Sequence, residues 1–580
     1  MTDNRLVIGL DYGTTYTGVS FCEVSDSHPG RQHIEIIHDW PSKHTKIGTK
    51  EKVPSEVAYL NEGICWGSNI PSHQPREIWT KLELDNQRGG EAAKIVAELS
   101  TSPSVPRKEP VEIVADFLGQ VKSHLIKNLD NKFGPDLWRS LSIILVVTVP
   151  ARLQAIDKAG FNSSQFPQLT TPIMVTTEPE AAAIYTMLTL RGTARNEQLA
   201  VGDGFIVCDM GGGTVDLISY RVKSLNPTII EEATVGNGAQ CGGSFVDRAF
   251  LRWLEGRLGT TDFVKIAGCR SEQIPRIFLT KKASKILQDF SLEIKTGFSG
   301  TEIGYLVLPT PLSAIEEDES RGIRDGEIIV TAEDTRLMFQ TPICRTYELL
   351  NEQLQRARIN GVDVKYVFLV GGFSESPYMH QKIKDYMDKR NIKTIKPTYA
   401  WSAVARGAAA KGMEGKQSAV LARKCRRHYG TACSSTFNRK IHKSRDRYID
   451  EYDGRTMARN QMIWLVKKGE DLETSKASHA YTTLTAHFWP KESRRTTWEL
   501  YACDADTAAQ GSTAESVYRV ATLIVDFDDV PASCYEHKVN DRDKKYLRLR
   551  AEVHISIQSS LEFFVTVDGK KYGSLTAEYD

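Results

Sequence analysis

One short pattern occurs twice in the chain, about 200 residues apart, and it constrains the fold more than any other feature. Residues 7–15 read Val-Ile-Gly-Leu-Asp-Tyr-Gly-Thr-Thr, and residues 205–214 read Phe-Ile-Val-Cys-Asp-Met-Gly-Gly-Gly-Thr. Each copy is an apolar strand that ends in an aspartate, followed by a glycine- and threonine-rich turn and a second apolar strand. The spacing is too long for a solenoid repeat. The repeat therefore predicts two similar lobes that face each other across a cleft.

The two hairpins carry groups suited to phosphate and to a metal ion. Asp11 and Asp209 lie at the tips of the two apolar strands. The glycines that follow let the backbone approach a ligand closely, and their N–H groups and the threonine hydroxyls can donate to phosphate oxygens. Two opposed hairpins would clamp a polyphosphate, with both aspartates facing one magnesium ion through its retained waters. A pair of ordinary glycine-turn hairpins is the alternative interpretation.

Two further motifs fit the same picture. An apolar strand ends in Gly371 and Gly372, where a flat ligand such as a nucleoside could lie on bare backbone. Glu178 precedes Pro179 and an alanine-rich helix start. Each motif also has a purely structural explanation, because glycine turns between strand and helix are common, and a carboxylate at a helix N-terminus stabilises the helix.

The pattern of predicted secondary structure changes near residue 415. Before that point, short β-branched runs alternate with helical patterns such as residues 343–359, which indicates an α/β fold. Strand-like runs dominate afterwards, and Asp568-Gly569 is a hairpin turn signal between two of them. We therefore predict an α/β domain over residues 1–414 and a mostly β domain over residues 415–580.

Composition and charge exclude several classes of protein. A hydrophobic content of 41% and a charged content of 25% are those of an ordinary globular chain. With a net charge of +1, the chain has no strong overall electrostatic field that would attract nucleic acid or a membrane surface. The basic stretch at residues 423–447 has few aromatic residues, so we interpret it as a solvated surface. The apolar run at residues 6–10 is too short for a signal peptide or a membrane span, and no cysteine pair has zinc-binding C-x-x-C spacing. A cytoplasmic protein is the default expectation, with the nucleus as the alternative.

In their order along the chain, these motifs resemble the nucleotide-binding domain of the Hsp70 family, over about residues 5–412. The resemblance is closest to the divergent Hsp70-like branch that includes fungal proteins. It implies a two-lobed, actin-like ATPase domain with a duplicated ribonuclease-H-like core, followed by a mostly β domain. That second domain is interpreted as a divergent substrate-binding β-sandwich without a helical lid. The matching segments are Asp11-Tyr-Gly-Thr-Thr-Tyr16, Val-Thr-Val-Pro-Ala151, Glu178-Pro-x-Ala-Ala-Ala183, Asp209-x-Gly-Gly-Gly-Thr-x-Asp216, Gly242-Gly243, Val370-Gly-Gly372 and Ala405-x-Gly-Ala-Ala409.

The resemblance also implies a role for each site residue. The nucleotide contacts would be Gly13, Thr14, Thr15, Tyr16, Gly211, Gly212, Gly213, Thr214, Gly242, Gly243, Gly371, Gly372 and Phe373. The carboxylates that would hold magnesium and its waters are Asp11, Glu178 and Asp209. The residues expected to take part in catalysis are Lys81, Glu178, Asp209, Thr214 and Asp216. In that set Lys81 would neutralise charge on the transferred phosphoryl group, and Asp216 would orient the attacking water.

Three departures from the family pattern bear on function. Glu375 stands where the family has an arginine over the adenine, so weakened nucleotide affinity is expected. The helix that flanks the other face of the adenine is expected near residues 280–290, where Lys281, Lys282 and Lys285 are available. The acidic-apolar linker that couples nucleotide state to substrate binding is not recognisable around residues 412–422, and the stretch that follows from residue 423 is basic instead.

The leading hypothesis is an Hsp70-like chaperone that binds ATP or ADP with Mg²⁺, hydrolyses ATP slowly and binds a protein segment. The expected partners are unfolded or client protein segments, together with cochaperones or nucleotide exchange factors; neither a membrane nor nucleic acid is expected. The alternative is a nucleotide-dependent protein-binding module with little or no ATPase turnover. A small-molecule kinase of the same superfamily would explain neither the Glu-Pro-x-Ala-Ala-Ala motif nor the β-rich tail.

Overall fold

A computed structural model describes residues 4–25, 33–42, 50–61, 63–71, 74–84, 108–149, 153–170, 172–190, 199–225, 228–274, 279–414, 420–474, 476–557 and 560–578. The chain folds into two compact units, Met1–Ile229 with Gly236–Ala419 and Ile230–Val235 with Val420–Asp580. The first unit is mixed α/β and the second is β-rich, which confirms the predicted fold class at that level. Pro150 and Ala151 of the Val-Thr-Val-Pro-Ala motif, and residues 415–419 at the predicted domain boundary, lie outside the described residues.

The elements of the first part of the α/β unit are β1 (Arg5–Tyr12), β2 (Tyr16–Val24), β3 (Glu35–Ile36), β4 (Val53–Pro54), β5 (Val57–Leu60), β6 (Gly63–Trp66), α1 (Thr80–Leu84), α2 (Pro110–Phe133), α3 (Leu137–Ser140), β7 (Ser142–Val149), α4 (Leu153–Lys158), β8 (Met174–Thr177) and α5 (Glu178–Leu190). A sheet with strand order β3-β2-β1-β7-β8 is their framework, and β4 pairs with β2. Strand β1 alternates between the two faces of this sheet. Leu6, Ile8 and Leu10 pack into a core shared with α2, while Val7 packs on the other side against Ala409.

The elements of the second part are β9 (Gly204–Met210), β10 (Val215–Leu225), β11 (Thr228–Glu232), β12 (Asn237–Ala239), α6 (Ser244–Leu258), α7 (Thr260–Ala267), α8 (Lys281–Asp289), β13 (Gly304–Val307), β14 (Glu317–Asp318), β15 (Ile323–Arg324), β16 (Glu327–Val330), α9 (Ala332–Ile359), β17 (Val364–Val370), α10 (Pro377–Asp388), β18 (Lys393–Ile395) and α11 (Ala403–Met413). Their main sheet has the order β10-β9-β17-β18, with β12 paired to β10, and residues 230–232 of β11 belong to the β-rich unit. Helix α9 starts earlier than the predicted 343–359, because a capping box between Thr331 and Asp334 begins it and Pro342 is accommodated inside.

The two sheets share one arrangement around their aspartate-tipped strands. Strand β1 pairs antiparallel with β2 on one side and parallel with β7 on the other. Strand β9 pairs in the same way with β10 and β17. The arrangement agrees with the sequence repeat, and it delivers Asp11 and Asp209 to equivalent ends of their sheets.

Close packing of helix α11 holds the first sheet and helix α5 together. A Cβ atom added to Gly407 of α11 would lie 1.8 Å from the carbonyl oxygen of Ala181 in α5. A Cβ added to Gly9 of β1 would lie 2.5 Å from the carbonyl oxygen of Ala405. Helix α5 begins at Glu178, so these two glycines set the distance between Glu178 and strand β1, which carries Asp11.

The elements of the β-rich unit are β19 (Ala422–Lys424), β20 (His428–Thr436), β21 (Arg447–Ile449), β22 (Thr456–Val466), β23 (Asp471–Glu473), β24 (Ser478–Phe488), β25 (Arg495–Cys503), β26 (Val517–Asp526), β27 (Tyr535–Val539), β28 (Lys545–Ile557), β29 (Ser560–Val567) and β30 (Lys570–Glu578). One sheet has the order β21-β22-β20-β25-β26, and a second has β24-β28-β29-β30 with β27 paired to β28. Side chains of both sheets, such as Leu500 and Val525 of the first and Val553 and Phe563 of the second, share one buried core. The unit is therefore a β-sandwich.

Two local features of the β-rich unit are also well defined. The predicted Asp568-Gly569 turn joins β29 to β30, and both of its residues have positive φ, which confirms the hairpin. The buried Glu232 accepts hydrogen bonds from the backbone N–H of Lys424 and the guanidinium of Arg426, each at 2.8 Å.

Across the described parts of both units, no helix combines the length and the apolar character that a membrane span requires.

The packing of α11 predicts different outcomes for two glycine substitutions in helices. Gly407→Ala places a methyl group against a backbone carbonyl, so we expect it to lower the free energy of unfolding by about 1–3 kcal/mol. Gly256→Ala is the matched control, because a Cβ added in α6 has no neighbour within 4 Å. It should raise the free energy of unfolding by about 0.5–1 kcal/mol through helix propensity. Urea unfolding followed by circular dichroism measures both, and equal effects would contradict the packing argument.

Candidate functional site

The two repeated turns line one cavity of about 580 Å³ in the α/β unit, a volume typical of small-molecule sites. Gly13, Thr14, Thr15 and Tyr16 line it from the β1–β2 hairpin, and Gly211, Gly212, Gly213 and Thr214 line it from the β9–β10 hairpin. The turns approach each other closely. A Cβ atom added to Gly212 would lie 2.4 Å from the hydroxyl of Thr15, and one added to Gly213 would lie 3.4 Å from the methyl of Thr14.

The four carboxylates predicted for the site, Asp11, Glu178, Asp209 and Asp216, all line this cavity, as do Glu56, Asp247 and Glu375. Asp11 Oδ1 accepts a hydrogen bond from the hydroxyl of Thr148 at 3.1 Å, and Asp216 Oδ2 accepts one from the hydroxyl of Thr214 at 2.7 Å. Burial raises the pKa of Asp209 to about 8, and the nearby charge of Glu178 adds to the effect. Burial also raises the pKa values of Glu178 and Asp216.

Lys81 is buried and its ammonium group donates a hydrogen bond to Glu178 Oε1. Short helix α1 carries it, and the hydroxyl groups of Thr80 and Tyr12 are hydrogen-bonded at 2.7 Å, which ties α1 to the end of β1. Burial opposes the charged form of Lys81, but Glu178 and Asp11 outweigh it, so its pKa is raised. Lys81 itself does not line the cavity, and it reaches the site through Glu178.

A second buried lysine, which the sequence interpretation missed, lies in the same cluster. Lys52 Nζ donates a hydrogen bond of 2.7 Å to Asp11 Oδ2. Burial favours its neutral form, but attraction by Asp11, together with Asp209 and Glu178, outweighs burial and raises its pKa. The sequence shows only a lysine directly before the strand Val53–Pro54. A single lysine that belongs to no motif gives no indication that it reaches Asp11.

The carboxylates do not form a ready set of direct metal ligands. Lys52 and Thr148 occupy both oxygens of Asp11, and Lys81 occupies an oxygen of Glu178. Throughout the described residues, no group of three or more histidine, cysteine or acidic side chains could hold a metal ion. The residues of this site therefore do not fit a directly coordinated magnesium ion.

The predicted nucleoside side is formed by Gly371, Gly372 and Phe373, which all line the cavity. Gly371 has φ +84°, and a Cβ there would lie 2.4 Å from Asp209 Oδ1, so this position requires glycine. A Cβ on Gly372 would lie 2.9 Å from the indole of Trp401. Trp401, another lining residue that the sequence interpretation missed, packs edge-on against Tyr16 with ring centroids 5.7 Å apart.

The glycine pair after β12 has two distinct positions. Gly243 lines the cavity. Gly242 is not among the lining residues that the structure describes, and it packs against the backbone of the second turn. Its N–H donates to the carbonyl of Gly213 at 3.1 Å, and a Cβ there would lie 2.6 Å from the carbonyl oxygen of Gly211.

The nearby residues that line the cavity come directly after the predicted 280–290. Ser291, Leu292 and Lys295 of the π-helical turn that follows α8 line the cavity, and so does Thr296 directly after the turn. Lys282 instead donates to the carbonyl of Thr310, and Lys285 pairs with Asp289. Glu375 lines the cavity as expected, but its carboxylate is paired with Lys396 at 2.8 Å, so its charge is partly neutralised.

Comparison with known proteins assigns both parts of the chain to sequence families. The family described as "Hsp70 protein" matches residues 109–421, and "Domain of unknown function (DUF8568)" matches residues 423–572. Human heat shock 70 kDa protein 12B is 23% identical over 478 residues, which cover 70% of this chain and 68% of the human protein. This likeness confirms the resemblance to the divergent Hsp70-like branch.

Bacterial chaperones are similar over the α/β part. The chaperone protein HscA homolog of Aliivibrio salmonicida is 23% identical over 406 residues, and chaperone protein DnaK of Mycoplasma mobile is 24% identical over 410 residues. These matches cover 68% and 70% of this chain, but only 56% and 58% of the two bacterial proteins. Because the Hsp70 sequence match spans more than half of the 580 residues, the chain belongs to the Hsp70 family.

Proposed function

We propose that the cavity of the α/β unit binds ATP or ADP. The observation that carries this proposal is the contact between the two glycine- and threonine-rich turns, seen in the approach of Gly212 to Thr15. Opposed turns present backbone N–H groups and hydroxyls from two directions, which suits the several oxygens of a polyphosphate. The nucleoside would extend towards Gly371, Gly372 and Trp401, where bare backbone and an aromatic ring offer flat surfaces.

The same residues support slow hydrolysis of the bound ATP. Asp216, held by Thr214, would orient a water towards the terminal phosphorus. As that water adds, the bond to the bridging oxygen breaks, one proton of the water stays on the released phosphate while the other passes to solvent, and ADP remains. Lys81 would approach the departing phosphoryl group and stabilise its charge. Phosphoryl transfer depends mainly on such positioning, so a set of this kind supports turnover.

The β-rich unit would bind a protein segment and give the chain a chaperone-like role. Support comes from membership of a family that contains chaperones and from the β-sandwich architecture. Unfolded or client segments are the proposed partners, with cochaperones or nucleotide exchange factors as regulators, and the cytoplasm or nucleus as the place of action.

One observation favours a second candidate, a nucleotide-dependent binding module with little or no turnover. Lys52 and Lys81 are both paired with site carboxylates, Asp11 and Glu178 respectively. A lysine whose charge is already compensated by a carboxylate stabilises less of the charge that develops on the phosphoryl group. The two candidates differ in whether ATP binding is followed by phosphate release.

Single-turnover hydrolysis of ATP by the full chain separates the two candidates. For the slow ATPase, we expect Lys81→Ala to lower the rate constant by at least about 100-fold while nucleotide affinity falls only modestly, because Lys81 acts on charge that develops in the transition state. Lys384→Ala is the matched control, since this exposed lysine also pairs with an acidic residue, Asp388, but lies outside the cavity. Tight ATP binding with equal hydrolysis by wild type and Lys81→Ala would contradict the ATPase and favour the binding module.

The charge of Glu375 predicts a separate effect on affinity. Glu375→Arg replaces a carboxylate on the nucleoside side by a cation that can stack on a base, so the Kd for ATP should fall by about tenfold with little change in the single-turnover rate constant. Glu333→Arg is the control, because Glu333 also pairs with a basic residue, Arg336, but does not line the cavity. A changed rate constant with unchanged Kd would show that Glu375 does not face the nucleoside.

A further inference from the structure

Lys52 places a positive charge at the centre of the cluster that the sequence assigns to magnesium. Its side chain is only 9% exposed, and its Nζ lies 2.7 Å from Asp11 Oδ2. Asp209 and Glu178 also attract it. These are the three carboxylates expected to face the metal, so the ammonium group stands in the same electrostatic position as the expected ion.

The backbone of three neighbouring strands directs Lys52 to this place. Asp11 of β1 pairs with Gly18 of β2, and Thr17 of β2 pairs with Val53 of β4. Extending that antiparallel register by one residue places Lys52 opposite Gly18, so Lys52, Gly18 and Asp11 lie in one row across the sheet. A Cβ on Gly18 would lie 3.1 Å from Lys52 Cγ and 3.3 Å from Lys52 Cε. The absence of a side chain at Gly18 therefore leaves the path along which the lysine stem crosses β2.

The ion pair competes directly with a metal. Magnesium is held through carboxylates that accept hydrogen bonds from its waters or coordinate it directly. Lys52 and Thr148 already donate to both oxygens of Asp11, and Lys81 donates to Glu178. A hydrated ion at Asp11 would meet this buried ammonium group at close range, and displacing the ammonium would leave its charge without a partner at considerable cost.

We propose that Lys52 is a built-in cation that takes the place of magnesium, so that this chain binds ATP free of divalent metal. An ammonium group has three N–H donors, and with one on Asp11 the others are available to phosphate oxygens. The inference rests on the nucleotide binding proposed above and specifies which form of the nucleotide the site accepts. It also provides a reason for slow turnover, since the ammonium carries half the charge of Mg²⁺ and imposes no octahedral geometry.

Calorimetric titration of the full chain with ATP, in EDTA and in excess Mg²⁺, tests the proposal. For wild type we expect the two Kd values to agree within about threefold. Lys52→Thr removes the charge and opens space at Asp11, so its Kd in EDTA should rise by at least about tenfold and Mg²⁺ should restore much of the affinity. Lys52→Arg keeps the charge and should remain nearly independent of metal. Lys384→Thr, with its lysine outside the cavity, should behave like wild type.

Thermal melting of each variant establishes that it is folded, and the wild-type titration tests the idea even if Lys52→Thr does not fold. Wild-type affinity that falls tenfold or more in EDTA would overturn the role of Lys52 and leave nucleotide binding intact. An unchanged ratio of Kd values in folded Lys52→Thr would do the same. Failure of wild type to bind ATP with or without Mg²⁺ would overturn the nucleotide-binding proposal itself, and this inference with it.

Discussion

Charge balance around one partly buried cavity is the constraint on which the α/β unit depends. Asp11, Glu178, Asp209 and Asp216 come together there, although burying like charges is unfavourable unless opposite charges or protons compensate them. Lys52 and Lys81 supply two compensating charges through direct pairs with Asp11 and Glu178. Asp209 has no such lysine contact of its own among the described ion pairs, and its pKa is raised to about 8. The surrounding fold must therefore bring two lysines from separate segments to one point.

Glycines at close contacts allow the two lysines and the carboxylates to come together. Gly18 leaves a path for the stem of Lys52, and Gly407 lets helix α11 reach the backbone of helix α5, which begins at Glu178. Gly212 lets the second turn approach Thr15 of the first. At each of these positions a methyl group would meet a neighbour at 3.4 Å or less, so the glycines act on the site through backbone distances. Stability and function are thus linked in this unit, because the same close approaches form the core and position the charges.

The cavity of this Hsp70-family chain combines predicted residues with contacts that the sequence interpretation did not anticipate. The two turns and the four predicted carboxylates all line it. The unanticipated contacts are the Lys52–Asp11 pair, the Glu375–Lys396 pair and the approach of Trp401 to Gly372. The β-sandwich that follows matches a domain of unknown function, so the partner-binding role rests on the family and on its architecture.

The sequence by itself determined the features that depend on a few consecutive residues. A strand that ends in aspartate before a glycine-rich turn has few possible structures, and its two copies identified the two turns that line the cavity, together with Asp11 and Asp209. A separate local pattern, a strand followed by two glycines, identified Gly371 and Gly372. The Asp568-Gly569 hairpin followed from the same kind of local signal. Only the tertiary structure decided the position of Lys52, because its approach to Asp11 depends on the register of three strands and on a glycine 34 positions away in the chain. Trp401 and the flanking residues 291–296 were decided in the same way, since packing between distant segments, with no periodic or motif signature, brings them to the cavity.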